Sequence, residues 1–473
     1  MSKTATAAPS APANKSNVVA IITMFFIFAM ISFVTNLAAP IGTIWGYKFE
    51  GNSMLGMMGN MMNFAAYLFM GIPAGNMLVK IGYKKTALWA MAVGVVGLFV
   101  QWLSSVVGSD VTLFSMTSDV VTEEGAALSK TFAVPLNFFI YLLGAFICGF
   151  CVCMLNTVVN PMLNLLGGGG NKGNQLIQTG GTLNSLSGTL TPFFVGALIG
   201  ALSPATSMGD VAPLLWIAMG VFALAFVIIS FVAIPEPNQS KSGKKVKYAH
   251  SPWNFRHLVL GVFGIFLYVG IEIGIPGTLN FYLADQGAGG AGVVGEASKI
   301  AGAIVAVYWF LMLVGRFCSS IISGMISTRT QIVTVSTLGI ILVALAIVTP
   351  KTVTFNVPEF IYSGGAQAPV SALYLILCGL CTSVMWGGIF NLAVEGLGKY
   401  TAQASGIFMM MVVGGGVMPL IQNWIAGKVG YMPSYWLVVA MLAYLLFYGL
   451  IGCKNVNKDI PVDEEASGDP LNI

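Results

Sequence analysis

The chain has 473 residues, 56% of them hydrophobic and only 8% charged, with a formal net charge of +4. Ordinary globular domains are about 25% charged, and no water-soluble fold of this length buries so much apolar surface, so the solvent for most of the chain is lipid. So small a net charge gives no purchase on nucleic acid, and no nucleic-acid partner is expected.

Residues 1–16 are rich in Ala, Ser and Pro and read as a disordered cytoplasmic N-terminus. The first apolar run is too long for a cleavable signal and is expected to act as its own insertion signal. A helix needs about 20 apolar residues to cross the hydrocarbon. On that measure twelve spans are predicted, with cores at 18–45, 54–79, 86–107, 132–158, 177–201, 211–234, 257–283, 300–325, 331–349, 370–394, 402–426 and 432–452. Barrel strands are about ten residues long and alternate in polarity; these runs are longer and apolar all round. The fold class expected is an all-α polytopic membrane protein with two six-helix bundles. The first bundle covers 17–234 and the second 257–453. A polar, basic linker at 235–256 joins them, and a cytoplasmic tail follows at 454–473.

An even number of spans puts both termini on one face. Fifteen Lys and Arg residues then lie on that face: Lys3, Lys15, Lys80, Lys84, Lys85, Lys172, Lys241, Lys244, Lys245, Lys247, Arg256, Arg329, Lys399, Lys454 and Lys458. Only five lie on the other: Lys48, Lys130, Lys299, Lys351 and Lys428. The positive-inside rule makes the first face cytoplasmic, in the cell's inner membrane. Two outer loops, 108–131 and 284–299, are long and read as surface excursions or a cap over the outer mouth.

The chain carries traces of duplication. Gly188-Thr-Leu-Thr-Pro192 to Gly200 shares the frame Gly-x3-Pro-x7-Gly with Gly415-Gly-Val-Met-Pro419 to Gly427. Cys148-Gly-Phe-Cys151 recurs as Cys378-Gly-Leu-Cys381. A doubled, apolar chain with Pro and Gly inside its spans is the pattern of a secondary transporter. Gly167-Gly-Gly-Gly-Asn-Lys172-Gly lacks the Gly-Lys-Ser/Thr of a phosphate loop, and no segment is large enough for a nucleotide-driven domain. The two C-x-x-C pairs have no His or carboxylate neighbours for a zinc site and read as packing residues. The only histidines, His250 and His257, sit at the linker, and no nucleophile–base set lies at membrane depth, so an enzyme is not expected.

Ionisable groups inside spans are few, and each is a functional candidate because a charge at the bilayer centre costs about 2.5 kcal/mol or more. Glu272 is far from both ends of its helix and reads as a ligand acceptor or ion carrier. Arg316 lies nearer the cytoplasmic end of helix eight, and Glu395 and Lys399 close helix ten. These three read as a gate or helix-end network. The first half offers amides instead: Asn36, Asn60, Asn63, Asn156, Asn160, Asn164, Gln178 and Asn184. Asn156 and Asn160 share a helical face, and Pro161 is expected to break the fourth helix just after it. Amides and aromatics around a wet cleft suit a neutral polyhydroxyl ligand. The substrate-binding candidates are Asn36, Tyr67, Asn156, Asn160, Gln178, Asn184, Tyr268, Glu272, Trp386 and Asn391, with Trp309 a further stacking candidate.

Phe266-Leu-Tyr-Val-Gly-Ile-Glu272, Tyr308-Trp-Phe-Leu-Met-Leu-Val-Gly-Arg316-Phe and Leu392-Ala-Val-Glu395-Gly-Leu-Gly-Lys399 to Gly406 resemble the fucose/galactose/glucose–proton symporters of the major facilitator superfamily. Ile72-Pro-Ala-Gly75, Asn160-Pro161 and Thr182-Leu-Asn184-Ser185 fit the same resemblance, which covers nearly all twelve spans. It implies a two-bundle fold, a central sugar site and rocker-type alternating access. It also implies a proton-coupling carboxylate in helix one and another in helix four. Here those positions are Ala39 and Asn156, and Gly181 stands at the family's helix-five glutamine. Neither alanine nor asparagine carries a proton at physiological pH. Three mechanisms remain: facilitated diffusion, sodium coupling through oxygens such as those of Asn36 or Asn156, or proton coupling moved to Glu272. No cofactor is expected beyond a transported H+ or Na+. The partners expected are a hexose-type sugar and the bilayer, with the monomer functional. The rival readings are a carrier of another neutral polar solute and a non-transporting sugar sensor.

Overall fold

The computed structural model describes residues 15–49, 53–121, 127–199, 205–236, 250–285, 287, 289–294 and 296–462. The expectations for residues 1–14, for most of the linker (237–249), for the tail beyond 462 and for Gly200 fall outside these residues. So do those for Glu123 and Glu124 and for the side chains of Ala39, Asp119, Lys130 and Pro192.

The apolar runs become long helices because lipid leaves the backbone no hydrogen-bond partner but itself. In chain order they are α1 (Lys15–Lys48), α2 (Ser53–Ile81), α3 (Tyr83–Leu103), α4 (Leu136–Leu166), α5 (Gly170–Ile199) and α6 (Met208–Phe231). The second set is α7 (Arg256–Ala284), α8 (Ala297–Ile322), α9 (Thr328–Val348), α10 (Val370–Val394), α11 (Thr401–Met410), α12 (Gly414–Val429), α13 (Tyr431–Ser434) and α14 (Trp436–Phe447). A 3-10 turn at Met411–Val413 divides the eleventh span into α11 and α12, and α12 opens on the glycine run Gly414-Gly415-Gly416 and carries Pro419 within it. Among the described residues, eleven helical stretches are long and apolar enough to cross a membrane. The thirty-residue α5 is not among them, because Asn171, Asn174, Gln175, Gln178, Asn184 and its hydroxyl residues dilute its hydropathy. It is held inside instead, packed on α1, α8 and α10, with Asn174 and Gln178 buried.

Two features depart from the sequence reading. Pro161 lies inside an unbroken α4. Side-chain donors brace the turn before it: Thr157 Oγ1 donates to the Cys153 carbonyl and Asn160 Nδ2 to that of Asn156, at 2.8 and 2.9 Å. The region expected as an irregular outer loop is an antiparallel hairpin, β1 (Thr112–Val121) with β2 (Ala127–Pro135). Its counterpart before α10 is β3 (Thr354–Val357) with β4 (Ala366–Pro369). Alternation in Phe114-Ser-Met-Thr117 suits a strand, and the Thr117 and Thr131 hydroxyls meet across it at 3.0 Å. Both hairpins enter their helix through a proline, Pro135 and Pro369.

The first half is built on α3 against α4 and α6 and on α2 against α4 and α1; the second on α10 against α9, α8 and α7 and on α12 against α7. The start of the linker is tied down. The Glu236 carboxylate accepts from the Tyr83 and Lys84 amides, 2.5 and 2.9 Å, and so caps α3. Gly82 reaches that cap with φ 88°, where only glycine is unstrained. Burial pushes the Glu236 carboxyl above its usual range, against the pull of those amides and of Lys84 and Lys85.

The halves meet through α2 on α11, α5 on α8 and α10, and α4 on α11. The α2–α11 contact is backbone on backbone: a Cβ placed on Gly406 comes 2.5 Å from the Gly71 carbonyl and 2.7 Å from Gly75 Cα. Gly406→Val is therefore expected to cost about 1–3 kcal/mol of overpacking and to lower the melting temperature in detergent. Gly277→Ala, whose Cβ meets nothing within 4 Å, is expected to leave the melt unchanged or raise it slightly. Circular dichroism melts of the two variants make the comparison.

Candidate functional site

A polar and aromatic chain crosses the middle of the molecule from one half to the other. It begins on α2, where the buried Tyr67 hydroxyl accepts from Asn156 Nδ2 of α4 at 2.9 Å. One turn on, Asn160 donates to the Asn156 carbonyl and accepts from the Trp386 indole N–H of α10 at 3.1 Å. Trp386 packs edge-on against Tyr268 of α7, ring centroids 6.4 Å apart. The Tyr268 phenol lies beside Glu272 and Arg316 without a well-formed hydrogen bond to either.

The chain ends on charge. Arg316 Nη2 of α8 donates to Glu272 Oε1 at 3.1 Å, with both side chains close to nine-tenths buried. The other arm of the guanidinium crosses to the first half, where Nη1 donates to Ser185 Oγ at 2.8 Å and to the Gly181 carbonyl at 3.4 Å. Tyr308 Oη donates to the Glu272 carbonyl at 3.2 Å and lies 3.0 Å from Thr382 Oγ1. A buried charge is tolerable only when paired and hydrogen-bonded, and here both conditions hold. Arg316 is thus no edge cation: it pairs with Glu272 and not with Glu395 or Lys399. Its helix position suggested the membrane edge, but the side chain turns inward to the one carboxylate within reach. Of the network expected from Arg316, Glu395 and Lys399, Arg316 is held by Glu272 and Ser185. Glu395 is exposed at the end of α10, where its carbonyl contacts His257 Nε2 at 3.0 Å. The Lys399 ammonium lies over the Tyr400 ring.

Of the other sequence candidates, several are held elsewhere. Asn36 donates to Ser32 of its own helix, to the carbonyl at 2.8 Å and to Oγ at 3.1 Å. Asn184 donates to the Phe28 carbonyl at 2.9 Å and so ties α5 to α1. Gln178 donates to the Val384 carbonyl at 2.8 Å. Asn391, expected at the ligand, is one turn from the end of α10, where its Oδ1 accepts from Asn164 Nδ2 at 2.6 Å and its Nδ2 donates to Thr328 Oγ1 at 3.0 Å. Trp309 packs on Tyr308, with ring centroids 5.3 Å apart. Sequence reasoning missed Ser185, Thr382 and the pairing of Asn164. Ser185 was within reach, since it adjoins Asn184, but no pattern in sequence announces the partner of an arginine 131 residues away.

The halves close toward the face on which α1 starts, the terminal face. Among the described residues the hydrogen bonds joining them run from the middle of the helices to that face: Arg316–Ser185, Arg316–Gly181, Asn160–Trp386, Gln178–Val384, Asn164–Asn391, Asn76–Gln403 and Asn174–Ser323, the last at 3.2 Å. Toward the opposite face a cavity of about 490 Å³ opens between α2, α7 and α12. Phe64, Ile273, Asn60 and Asn423 are among the residues that line it. That volume lies within the ~300–1,000 Å³ common for small-molecule sites. None of the residues of the chain above lines it; Ile273 and Phe64, which do, are near neighbours in sequence of Glu272 and Tyr67. The arrangement offers amide and hydroxyl groups, aromatic rings and one ion pair.

No protein-family model matches the chain. It is 28% identical over 439 residues to a glucose/galactose transporter of Brucella abortus, covering 91% of this chain and 93% of that one. It is 28% identical to a putative glucose/galactose transporter of Helicobacter pylori over 83% of this chain and 86% of that one. It is 22% identical to the L-fucose–proton symporter of Escherichia coli over 81% of each. These relatives are named as transporters, not enzymes. Among solved structures it superposes on the major facilitator superfamily transporter FucP in its outward conformation with a TM-score of 0.68 at 16% identity, covering 91% of this chain and 98% of that one. The proton:xylose symporter XylE gives 0.59 at 12% identity, covering 91% and 95%. The chain therefore has the major facilitator fold.

The ion pair has a measurable signature. Arg316→Ala strands a buried carboxylate and is expected to cost about 3–5 kcal/mol. Adding Glu272→Gln to Arg316→Ala is expected to recover most of that loss. Denaturation of the wild type, both single variants and the double variant in detergent closes the cycle. Strictly additive losses would show that the two groups do not interact.

Proposed function

We propose that the chain is a sugar carrier that moves a hexose of the glucose, galactose or fucose class across the inner membrane by alternating access. The observation that carries this reading is the chain Tyr67–Asn156–Asn160–Trp386–Tyr268, with the Glu272–Arg316–Ser185 group beside it, which draws on both halves. A hexose presents hydroxyls that give and accept hydrogen bonds, and C–H faces that stack on aromatic rings. Asn156, Asn160 and Tyr67 supply the first kind of partner; Trp386 and Tyr268 supply the second. The names of the relatives point to the same substrate class.

The positive-inside count makes the terminal face cytoplasmic, so the closed face is the inner one and the geometry is outward-facing. One chain holds the whole path, and the monomer is the working unit. Sugar enters through the outer cavity and engages the aromatic and amide groups. The halves then rock, closing over Phe64 and Gly415 and parting at Asn164–Asn391.

Coupling runs through Glu272. As a carboxylate it holds Arg316, and Arg316 in turn holds Ser185 and the Gly181 carbonyl of the other half. A proton arriving on Glu272 converts the carboxylate to a carboxylic acid and removes the counter-charge. The guanidinium is then left with only neutral partners, and the mid-membrane tie between the halves loosens. This links one proton to the contact that must break for the halves to move. The symporters among the relatives favour it over uncoupled flux. Sodium coupling has less support, because Asn36 and Asn156 make separate hydrogen bonds on different helices.

Uptake of labelled hexoses into proteoliposomes, with proton and sodium gradients imposed one at a time, tests the reading. Stimulation by an inward proton gradient alone is expected. Glu272→Gln is expected to keep sugar counterflow and lose accumulation driven by the proton gradient. A Glu272→Gln protein that still accumulates sugar like the wild type would refute the coupling role. Trp386→Ala is expected to raise KM about tenfold, one stacking contact of about 1.4 kcal/mol.

A further inference from the structure

A second cavity, of about 680 Å³, lies at the terminal face, away from the central chain. It is lined from the first half by Gly170 and Asn171, and from the second by Arg329, Lys454, Lys458 and Glu395. Among the described residues three cations therefore face one carboxylate. Arg329 gives its Nε and Nη2 to the Gly449 and Leu450 carbonyls, which are neutral, and forms no ion pair among the described residues. Neither lysine forms an ion pair among the described residues.

The backbone adds to this field. Gly168, Gly169 and Gly170 take φ of 76, 72 and 54°, a run that only glycine makes without strain. Nothing lies within 4 Å of a Cβ at Gly168 or Gly170, so it is the turn and not close packing that calls for glycine there. The turn aims the first residues of α5 into the cavity, and the start of α9, Thr328 and Arg329, meets them from the other half. Helix N-termini carry partial positive charge and unpaired N–H groups. Asn391, which joins Asn164 to Thr328, also lines the cavity. A cationic cavity, two helix starts and a half-to-half hydrogen bond coincide.

We infer that this cavity is a cytoplasmic anion site for a phosphate ester, and that its occupant holds the inner face closed. The anion touches Gly170 and Asn171 on one half and Arg329, Lys454 and Lys458 on the other, so it bridges the two halves. It binds the inward-closed state better than the open one, and a ligand with that preference slows any cycle that must open the face. An imported hexose is consumed by phosphoryl transfer, which yields a phosphomonoester, so a soluble ester here reports that supply exceeds use. An anionic lipid headgroup carries the same chemistry from the inner leaflet. The regulatory consequence rests on the transport reading above; the binding does not.

The test uses full-length protein. Purified protein in neutral detergent is melted with and without glucose 6-phosphate and inorganic phosphate. Initial hexose uptake is then measured in phosphatidylcholine vesicles loaded with the same anions on the cytoplasmic side, with and without phosphatidylglycerol in the membrane. Wild type is expected to melt higher with phosphate ester and to take up sugar about tenfold more slowly at ten times its Kd. Lys454→Gln/Lys458→Gln, two exposed changes, is expected to remove both effects and leave uptake without anion as in wild type. Slowing by phosphatidylglycerol alone, abolished by the double variant, supports the site with a lipid headgroup as its source. A melt and an uptake rate that respond to neither anion nor lipid, or respond equally in the double variant, overturn it. Raised melting in a protein that moves no sugar would sink the transport reading and leave the anion site standing.

Discussion

A single guanidinium sets the terms for the rest of the molecule. Arg316 is nearly nine-tenths buried at mid-membrane, where an unpaired charge is costly. It is stabilised by Glu272 on one side and by Ser185 and the Gly181 carbonyl on the other. The first contact lies within the second half and the others cross to the first half. The same group that pairs with Glu272 in an apolar surrounding therefore also fastens α8 to α5. Nothing that alters the charge of Glu272 can leave the fit of the two halves untouched. Tyr308, donating to the Glu272 carbonyl from α8, keeps the helix that carries the carboxylate in register with the one that carries the arginine.

Below the arginine the halves join by neutral groups. Asn164 and Asn391 meet across the interface at 2.6 Å, and they are 227 residues apart, the spacing of the Gly-x3-Pro-x7-Gly echo between 188–200 and 415–427. Asn160 and Trp386 cross one turn nearer the middle. Amide pairs of this kind are modest in net free energy, about 0.5–1.5 kcal/mol each, and are insensitive to pH and little screened by salt. A closure built from them is strong enough to favour one state and weak enough to be undone in every cycle. The backbone contact of Gly406 with Gly71 and Gly75 allows the approach, because no side chain intervenes.

The sequence made most spans legible because lipid imposes a rule that eleven helical stretches among the described residues obey on their own, about twenty apolar residues to a crossing. It made Glu272 legible for the same reason, since depth alone singles out a carboxylate. It did not make partners legible. Arg316 looked like an edge cation because its place along α8 was visible and its inward turn was not. Asn36, Gln178, Asn184 and Asn391 looked alike as amides in spans, yet each is bound to a different neighbour, and only contacts between distant segments decide which face a wet cleft. Pro161 promised a break that α4 does not show, because Thr157 and Asn160 brace the turn before it. The hairpins before α4 and α10 lie outside the spans, where the hydropathy rule carries no information about backbone pairing.

The polarity of α5 bears on how the protein comes to exist at all. Its amides and hydroxyls put it below the hydropathy that the other spans reach, and a segment of that kind partitions poorly from the insertion machinery into lipid by itself. Its buried Asn174 and Gln178 find their partners on α8 and α10, which are synthesised more than a hundred residues later. During synthesis of the first half, α5 has only α1 and its near neighbours to shield it. Asn184 and Ser187, donating to the Phe28 and Ala29 carbonyls of α1, are the contacts available at that stage. The first half must therefore wait, partly solvated, for the second to be made, and the order of assembly is written into the composition of one helix.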